Sequence, residues 1–574
     1  VPPISNYIDG PAGFTYNPGT ALNIAYRNHF FLTGAPNGNQ YAFRVEPDGA
    51  SFKMVGDHQI GKGVPIVGWK FGPDGGLYGV DWGGGYPLNQ KGAVWKIDDP
   101  SYANSPERKE VARLLKEGFG RRGAGDLTRL LGHIDQRVRL GAQFELARRN
   151  DLEPISAGLK SSGRMARIHA VWGLGQLART GRSDASGRLV ALLKDKDAEI
   201  QTQAAKMLGD LKVGMFGAEA LVPLLGSKSA RLRMHVALAL NKHPAGAAVE
   251  PLVKIAESLK PEQTYMRHAV AYGLAGSAEP KRIGELARHK NPQVRLIAVV
   301  ALRNGDDRSY TPNMFLFDED EAVATEAART LHDDFSDVRD LGPLAAMLTH
   351  PHNTHGNEAF IRRSINANFR VGGHDHALRV AEYAGRASAT KALRMEALNA
   401  LADWKEPGPL DRVTGRFREF DPEARILKVN ELSRHITSLL RDADADIQAR
   451  AVDVTTRLGI PAEPGALLAI VSNEKAARPV RVASLNALSA AKAKQLKQAV
   501  DAAVMDKTPD LRIRGLQLLV GMDRAAAVER VFWTFEKVTN APERQNAAAL
   551  MGDLGTAPGD TFLVAALKDD AKLA

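Results

Sequence analysis

Val294-Arg295-Leu296-Ile297-Ala298 is one copy of a five-residue signature that returns along most of this chain. An apolar residue is followed by Arg, two variable positions, and Ala or another small residue. The same order stands in Val138-Arg139-Leu140-Gly141-Ala142, Ala166-Arg167-Ile168-His169-Ala170 and Leu393-Arg394-Met395-Glu396-Ala397. It returns in Val480-Arg481-Val482-Ala483-Ser484 and Leu511-Arg512-Ile513-Arg514-Gly515. Looser copies begin at Ile200, Leu232, Met266, Val323, Ile361 and Ile447, and a degenerate one surrounds Arg544. Successive copies mostly lie 28 to 38 residues apart, the length of one helical hairpin. A period on this scale predicts a solenoid, in which each hairpin shields its apolar side against the next.

The expected fold class is mostly α: an α-solenoid of HEAT-type helical hairpins over 126–574, about 12 to 13 of them. The gap between Leu393 and Ile447 holds Trp404-Lys405-Glu406-Pro407-Gly408-Pro409 and predicts an irregular break near 402–440. Residues 101–125 read as a linker helix. Ser105 is its N-cap, Pro106 its first residue, and Val111, Leu114, Leu115 and Phe119 its apolar stripe.

Residues 1–100 read differently. They are rich in Gly, Pro and aromatics, and predict a partial all-β unit. Strand candidates are His29–Leu32, Tyr41–Val45, Ser51–Val55, Leu77–Asp81 and Ala93–Ile97, punctuated by the turns Pro47-Asp48-Gly49 and Pro73-Asp74-Gly75-Gly76. A four-stranded propeller blade takes about 40 to 50 residues, so this stretch supplies about two blades. Two blades cannot close a ring, and the expectation is a chain that forms the C-terminal portion of a longer polypeptide.

Composition narrows the function classes. The 574 residues are 44% hydrophobic and 25% charged, as in folded domains, and exceed one compact domain. There is no cysteine, which excludes disulfides, thiolate zinc and a covalently attached c-type haem within this sequence. No apolar run approaches the ~20 residues that span a bilayer. The net charge of +10 invites a nucleic-acid reading. Many arginines, however, stand at the fixed signature position two to four residues after Asp or Asn, as in Asp135…Arg137/Arg139 and Asn291…Arg295. That spacing predicts helix caps and ion pairs between stacked repeats, and makes nucleic acid the weaker alternative.

Two runs carry a family resemblance. Phe71-Gly72-Pro73-Asp74-Gly75-Gly76-Leu77-Tyr78-Gly79-Val80-Asp81-Trp82 is followed by Lys91-Gly92-Ala93-Val94-Trp95-Lys96-Ile97. The join Glu110–Phe119 then leads to Leu130-Leu131-Gly132-His133-Ile134-Asp135-Gln136-Arg137-Val138-Arg139. Together they resemble the membrane-bound dehydrogenase family of planctomycetes and verrucomicrobia, over roughly 10–145 in their specific part. In that family a sugar-dehydrogenase-like β-propeller precedes HEAT repeats, and a cytochrome c domain often follows. The resemblance implies, for a full-length protein, a PQQ-type quinone and haem c as cofactors and a sugar or alcohol as substrate. It also implies a periplasmic or cell-envelope location. Most of the propeller and the haem motif are missing from this sequence, so no cofactor is assignable here and catalysis is not expected of it.

Three groups can carry chemistry. Asp81-Trp82 at a strand end, with Lys91 beyond a glycine-rich loop, can present an aromatic face and polar groups to a ligand; the alternative is that Asp81 and Trp82 lock neighbouring blades. His58, beside Asp57 in a strand connection with Lys62, can act as a base; the alternative is a plain loop histidine. His350, His352 and His355, with His374 and His376, form the densest set of potential metal ligands; a solvated loop explains the first three equally well. The function expected is an interaction and scaffold region with a protein partner along the repeat surface.

Overall fold

The computed structural model of the protein describes residues 3–35, 37–83, 87, 90–305, 310–334, 338–350, 357–561 and 564. The chain divides into two compact units, Val1–Tyr310 and Thr311–Ala574. This division falls inside the stretch read from sequence as one array.

The first unit opens with seven strands: β1 (Pro11–Tyr16), β2 (Phe30–Gly34), β3 (Asn39–Asp48), β4 (Ser51–Gly61), β5 (Ile66–Phe71), β6 (Leu77–Asp81) and β7 (Val94–Ile97). They form two antiparallel meanders, β1-β2-β3-β4 and β5-β6-β7. Both contribute to one core of Leu22, Phe31, Ala42, Ile66, Trp69, Phe71 and Leu77. The two sheets do not close into a propeller. Neither β1 nor β5 was legible in the sequence, because a register shift at Pro11/Phe14 and another at Ile66/Gly68 interrupts the period of two. β4 also runs further than expected. Gly56, at φ +60°, lets the strand continue through an irregular register with β3, so Asp57 and His58 are strand residues rather than a connection.

Helices follow in hairpins. After α1 (Pro106–Glu117) the first unit holds α2 (Ala124–Leu130), α3 (Gln136–Arg148), α4 (Leu152–Gly158), α5 (Arg164–Arg179), α6 (Ser183–Leu192) and α7 (Ala198–Gly209). A 3₁₀ segment, Ala218–Gly226 with Pro223 inside, then takes the place of an outer helix. α8 (Ala230–Lys242), α9 (Val249–Glu257), α10 (Thr264–Ser277), α11 (Pro280–Glu285) and α12 (Pro292–Asn304) complete the unit. The signature helices α3, α5, α7, α8, α10 and α12 pack one on the next as an inner row.

The second unit continues with α13 (Glu321–Arg329), α14 (Gly342–Ala346), α15 (Glu358–Val371), α16 (His374–Ala384), α17 (Lys391–Ala402), α18 (Val429–Leu439) and α19 (Ala445–Leu458). It ends with α20 (Pro464–Ser472), α21 (Arg478–Ala490), α22 (Leu496–Val504), α23 (Pro509–Met522), α24 (Arg524–Lys537) and α25 (Ala541–Leu554). Between α17 and α18 lies an irregular segment with a lone bridge, Leu410 to Phe417, and a short 3₁₀ turn, Glu423–Arg425. Pro407 and Pro409 deny it helical hydrogen bonds. Trp404, wholly buried, anchors its start, and the Arg425 guanidinium sits over the rings of Phe369, Trp404 and Phe420.

The turn leading into most signature helices is a repeated hydrogen-bond module. A side chain two residues before the N-cap accepts the N-cap N–H, as with Asp195 to Asp197 (2.8 Å), Asp442 to Asp444 (2.9 Å) and Asp506 to Thr508 (2.8 Å). His133 and His289 do the same through Nδ1, for Asp135 (3.0 Å) and Asn291 (3.1 Å). The N-cap side chain in turn accepts from inside the helix: Asp135 from Arg137 N, Asp197 from Glu199 N, Asn291 from Gln293 N.

The signature residue closes the module by donating back to a carbonyl of the turn or of the preceding helix end. Arg139 reaches His133 O (2.7 Å), Arg233 Ser227 O (2.5 Å), Arg267 Pro261 O (3.2 Å) and Arg295 His289 O (2.9 Å). Arg394 reaches Ala384 O (2.8 Å), Arg481 Val471 O (2.6 Å) and Arg512 Asp506 O (2.7 Å). Where Gln replaces Arg, its amide makes the same bond: Gln201 to Leu193 O (3.0 Å) and Gln448 to Asp442 O (2.6 Å). These carbonyls are among the groups a helix end leaves without partners.

The predicted ion pairs between repeats are also present. Arg167 meets Asp195 (2.5 Å), Arg394 meets Asp442, and Arg512 meets Glu543 (2.7 Å). Arg481, nearly fully buried, pairs with Asp506.

The β unit is tied into the first hairpins by the same turn. Thr20 Oγ1 donates to Asp135 (2.5 Å), Gln136 N to Pro18 O (2.7 Å) and Arg137 to Gly72 O (2.6 Å). Gly19, at φ +122°, must be glycine, since a Cβ would stand 2.5 Å from Ile134 O. Arg108 of α1 forks onto Asp98 (2.8 and 3.0 Å), and Arg231 of α8 lies over the Phe52 ring at 5.0 Å.

Replacing Arg481 by Met leaves Asp506 and the Val471 carbonyl without their buried partner. Urea denaturation should show a loss of about 3 kcal/mol, against less than about 0.5 kcal/mol for an exposed control such as Lys497→Met.

Candidate interaction surface

The residues singled out in the β unit serve its hairpins. Asp81 ends β6 and accepts from Trp95 Nε1 (2.5 Å) and Ala93 N (2.8 Å) of the β7 arm. These bonds, the Trp95 one first, hold its carboxyl below the usual range. Asp81 thus locks two strands of one sheet rather than two blades. Trp82 follows it, 42% exposed, with its N–H on Pro65 O (3.3 Å). Lys91 returns beside them: a Cβ on Gly83 would stand 2.4 Å from Lys91 O. Gly84, Gly85 and Tyr86 of the intervening loop lie outside the described residues. His58 is on the other sheet. Its Nδ1 bonds Gly56 O (3.0 Å), and its ring stands against Tyr26 (5.8 Å) and His29 (5.9 Å). The structure therefore groups Asp81, Trp82 and Lys91, and sets His58 elsewhere.

The candidate metal ligands are not a cluster among the described residues. His352 and His355 lie outside the described residues, and the His350 ring stands edge-on to Phe317 at 5.3 Å. His374 and His376 are in the first turn of α16. His374 Nε2 bonds Glu431 (2.8 Å), while His376 Nδ1 bonds Asn368 Oδ1 (2.9 Å). Burial pushes the His376 imidazole down to about 4.

Sequence reading missed a buried polar constellation in the second unit. His332 sits in a π-helical turn, Thr330–Asp334, with no exposed surface. Its Nδ1 bonds Asp333 Oδ1 (2.7 Å), and Asn366 Nδ2 donates both to its Nε2 (2.8 Å) and to Asp411 Oδ2 (2.9 Å). Arg363 forks onto Asp333, and Arg370 donates to His332 O (2.8 Å). Such a set resembles acid–base machinery, but His332, Asn366, Arg370 and Asp411 are all buried. It fastens the irregular segment to α15. The only sequence signal was the run Leu331-His332-Asp333-Asp334, which has no spacing rule to mark it.

The first unit carries an extended polar ladder across its inner row. Arg139 Nε donates to His169 Nε2 (3.0 Å), His169 Nδ1 to Gln143 Oε1 (2.8 Å), and Gln143 Nε2 to Gln176 Oε1 (2.9 Å). Further along, Trp172 Nε1 donates to Gln203 (2.8 Å), which donates to Glu199 (2.6 Å), itself facing Arg231 (3.3 Å). Helices α3, α5, α7 and α8 are thereby linked side chain to side chain. His169 must stay neutral, because its Nε2 accepts from a guanidinium; burial, with Arg139 adding to it, holds its pKa down to about 3.

On the outer row, the 3₁₀ segment leaves an open groove of about 940 Å³ against α9 and α11. Val222, Val253 and Leu286 line it, with Arg282–Glu250 (2.8 Å) and His289–Glu257 (3.2 Å) as polar bridges. No described helix is long and apolar enough to cross a membrane.

No protein-family model matches the chain, and no curated protein matches it. Solved structures do. An engineered protein aligns at 18% identity and TM-score 0.23, over 71% of this chain and 99% of its own. Kap121p bound to Ste12p aligns at 12% and 0.42, over 82% of this chain and 55% of its own, so the chain spans about half of it. UNC-45 from Drosophila melanogaster aligns at 16% and 0.25, over 83% and 73%. At these values the chain is similar to them only as one helical-repeat fold to another.

An unfolded histidine takes up its proton below about pH 6.5, whereas folded His169 does so only near 3. The unfolded state therefore binds more protons in that window, and stability falls as pH drops from 6.5 towards 3. His169→Gln should flatten the slope of Tm against pH between 6.5 and 4. An unchanged slope would show that His169 does not govern it.

Proposed function

We infer that this chain is a protein-interaction scaffold that binds its partners along the surface of the helical repeats. The observation that supports this reading is how the repeats use their polar groups. Signature arginines, buried histidines and turn carboxylates are engaged in joining one hairpin to the next. What remains for other molecules is a long series of outer helices and turns, with the groove at Val222, Val253 and Leu286 among them. Extended surfaces of this kind are what solenoids use for binding. The nucleic-acid alternative is weakened, since Arg139, Arg295, Arg394 and Arg481 are at least nine-tenths buried and face the protein's own groups.

A second reading follows the family resemblance. In a longer polypeptide, the two sheets would be neighbouring blades of a sugar- or alcohol-oxidising propeller carrying a PQQ-type quinone and passing electrons to haem c, in the periplasm or cell envelope. The contact of β1 with β5 and the core that the two sheets share favour it, because blades of a propeller are antiparallel sheets set side by side.

Cross-linking of the native protein in its own cell extract, read by mass spectrometry, tests the interaction reading. Reproducible cross-links from a partner to lysines of the repeats are expected. Recovery of cross-links only within the chain would contradict it.

A further inference from the structure

A second periodicity, made of lysine, accompanies the signature. Lys160 stands seven residues before Arg167, Lys194 and Lys196 seven and five before Gln201, and Lys228 five before Arg233. Lys260 stands seven before Arg267, and Lys290 five before Arg295. All six lie in or beside the turn that enters a signature helix, so stacking of the hairpins brings them to one edge of the first unit. All six are exposed. Among the described residues no ion pair engages any of them, whereas two of the three acids in the same turns are matched: Asp195 by Arg167 (2.5 Å) and Asp197 by Arg164 (2.9 Å), leaving Glu262.

The fold does not require these lysines. A cation near a helix C-terminus is favourable by about 0.3–1 kcal/mol, but two of the four turns compared in the second unit are built without one at these positions. The corresponding positions are Ala387 and Ala389 before Arg394, and Glu474 and Ala476 before Arg481. Before Gln448 they are Arg441 and Ala443. Before Arg512 they are Met505 and Lys507, and that lysine pairs with Glu474 (3.2 Å). The first hairpin lacks the lysine too: Gly132 and Ile134 precede Arg139, and there the β unit covers the turn. The row begins where that cover ends.

We propose that this lysine edge is a docking surface for an acid-rich, unstructured segment of a partner protein, a proposal that rests on the interaction reading above. Packed helices lie about 8–10 Å apart, so five successive turns run for roughly 40 Å. An extended peptide advances about 3.3 Å per residue, and a carboxylate at every third position keeps step with the turns. Nucleic acid fits less well. Each strand brings a charge about every 3.4 Å, denser than one or two lysines per turn. The turns 160–163, 193–197, 226–229, 258–263 and 289–291 also hold no Phe, Tyr or Trp on which bases would stack, and the one imidazole, His289, is engaged with Asn291 N and Glu257.

The test is a fluorescence-anisotropy titration of the full chain with a labelled peptide of seven Glu-Gly-Ser repeats, in parallel with an oligothymidine of equal charge. Substituting all six lysines by Gln should weaken peptide binding at least tenfold without moving Tm, and substituting all six by Arg should restore it to within about threefold. Equal peptide affinity for the wild type and the Gln variant would overturn the proposal. So would an oligothymidine that binds more tightly than the peptide and is lost in the Gln variant. The same Gln variant in the cell-extract cross-linking separates the two claims. A partner retained by it sinks the lysine edge and leaves the interaction reading standing. No partner for the wild type sinks the interaction reading, while the peptide titration still decides the edge.

Discussion

One hydrogen bond, from the second residue of most signatures to a carbonyl of the turn or helix end behind it, makes the rest of the solenoid possible. A helical hairpin that packs on both neighbours has to bury the end of its first helix, and with it carbonyls that have lost their helical partners. Left unmet, each would cost about 1–3 kcal/mol. A guanidinium suits this place because it reaches around the turn and has donors to spare: Arg481 meets the Val471 carbonyl with two nitrogens and still pairs with Asp506. Gln201 and Gln448 show that the donor matters more than the charge.

That bond also explains the charge balance. A chain with a net charge of +10 looks like a polyanion binder until its arginines are placed. Arg139, Arg295, Arg394 and Arg481 are inside, facing carbonyls and carboxylates, while the six turn lysines of the first unit stay exposed. The two cations divide the work according to their chemistry. At those four signature positions the planar, weakly hydrated guanidinium is buried, and at the turns the strongly hydrated ammonium remains in water.

The array was legible because its period lies in residue types that the packing demands: an apolar knob, a donor, and a small residue where helices approach. Helix starts were legible for the same reason, since Ser105, Asp135 and Asn291 cap where their side chains indicate. The donor's target was not, because a backbone carbonyl leaves no trace in a sequence. Strands β1 and β5 were hidden by bulges, and His58 was misplaced because Gly56 reads as a turn yet bends within a strand. The His332–Asp333–Asn366–Asp411 network joins residues up to 79 positions apart through an irregular segment, which no local pattern encodes. The division at Tyr310/Thr311 likewise interrupts neither the signature nor its spacing.

Amide hydrogen exchange on an Arg295→Met variant tests the central claim most directly. If the guanidinium bond holds each turn, exchange should quicken at residues 286–291 and along α12, and spread into the adjoining α10. Exchange indistinguishable from wild type in the turn and in α12 would mean that apolar packing alone holds the hairpins, and the account built on that bond would fall.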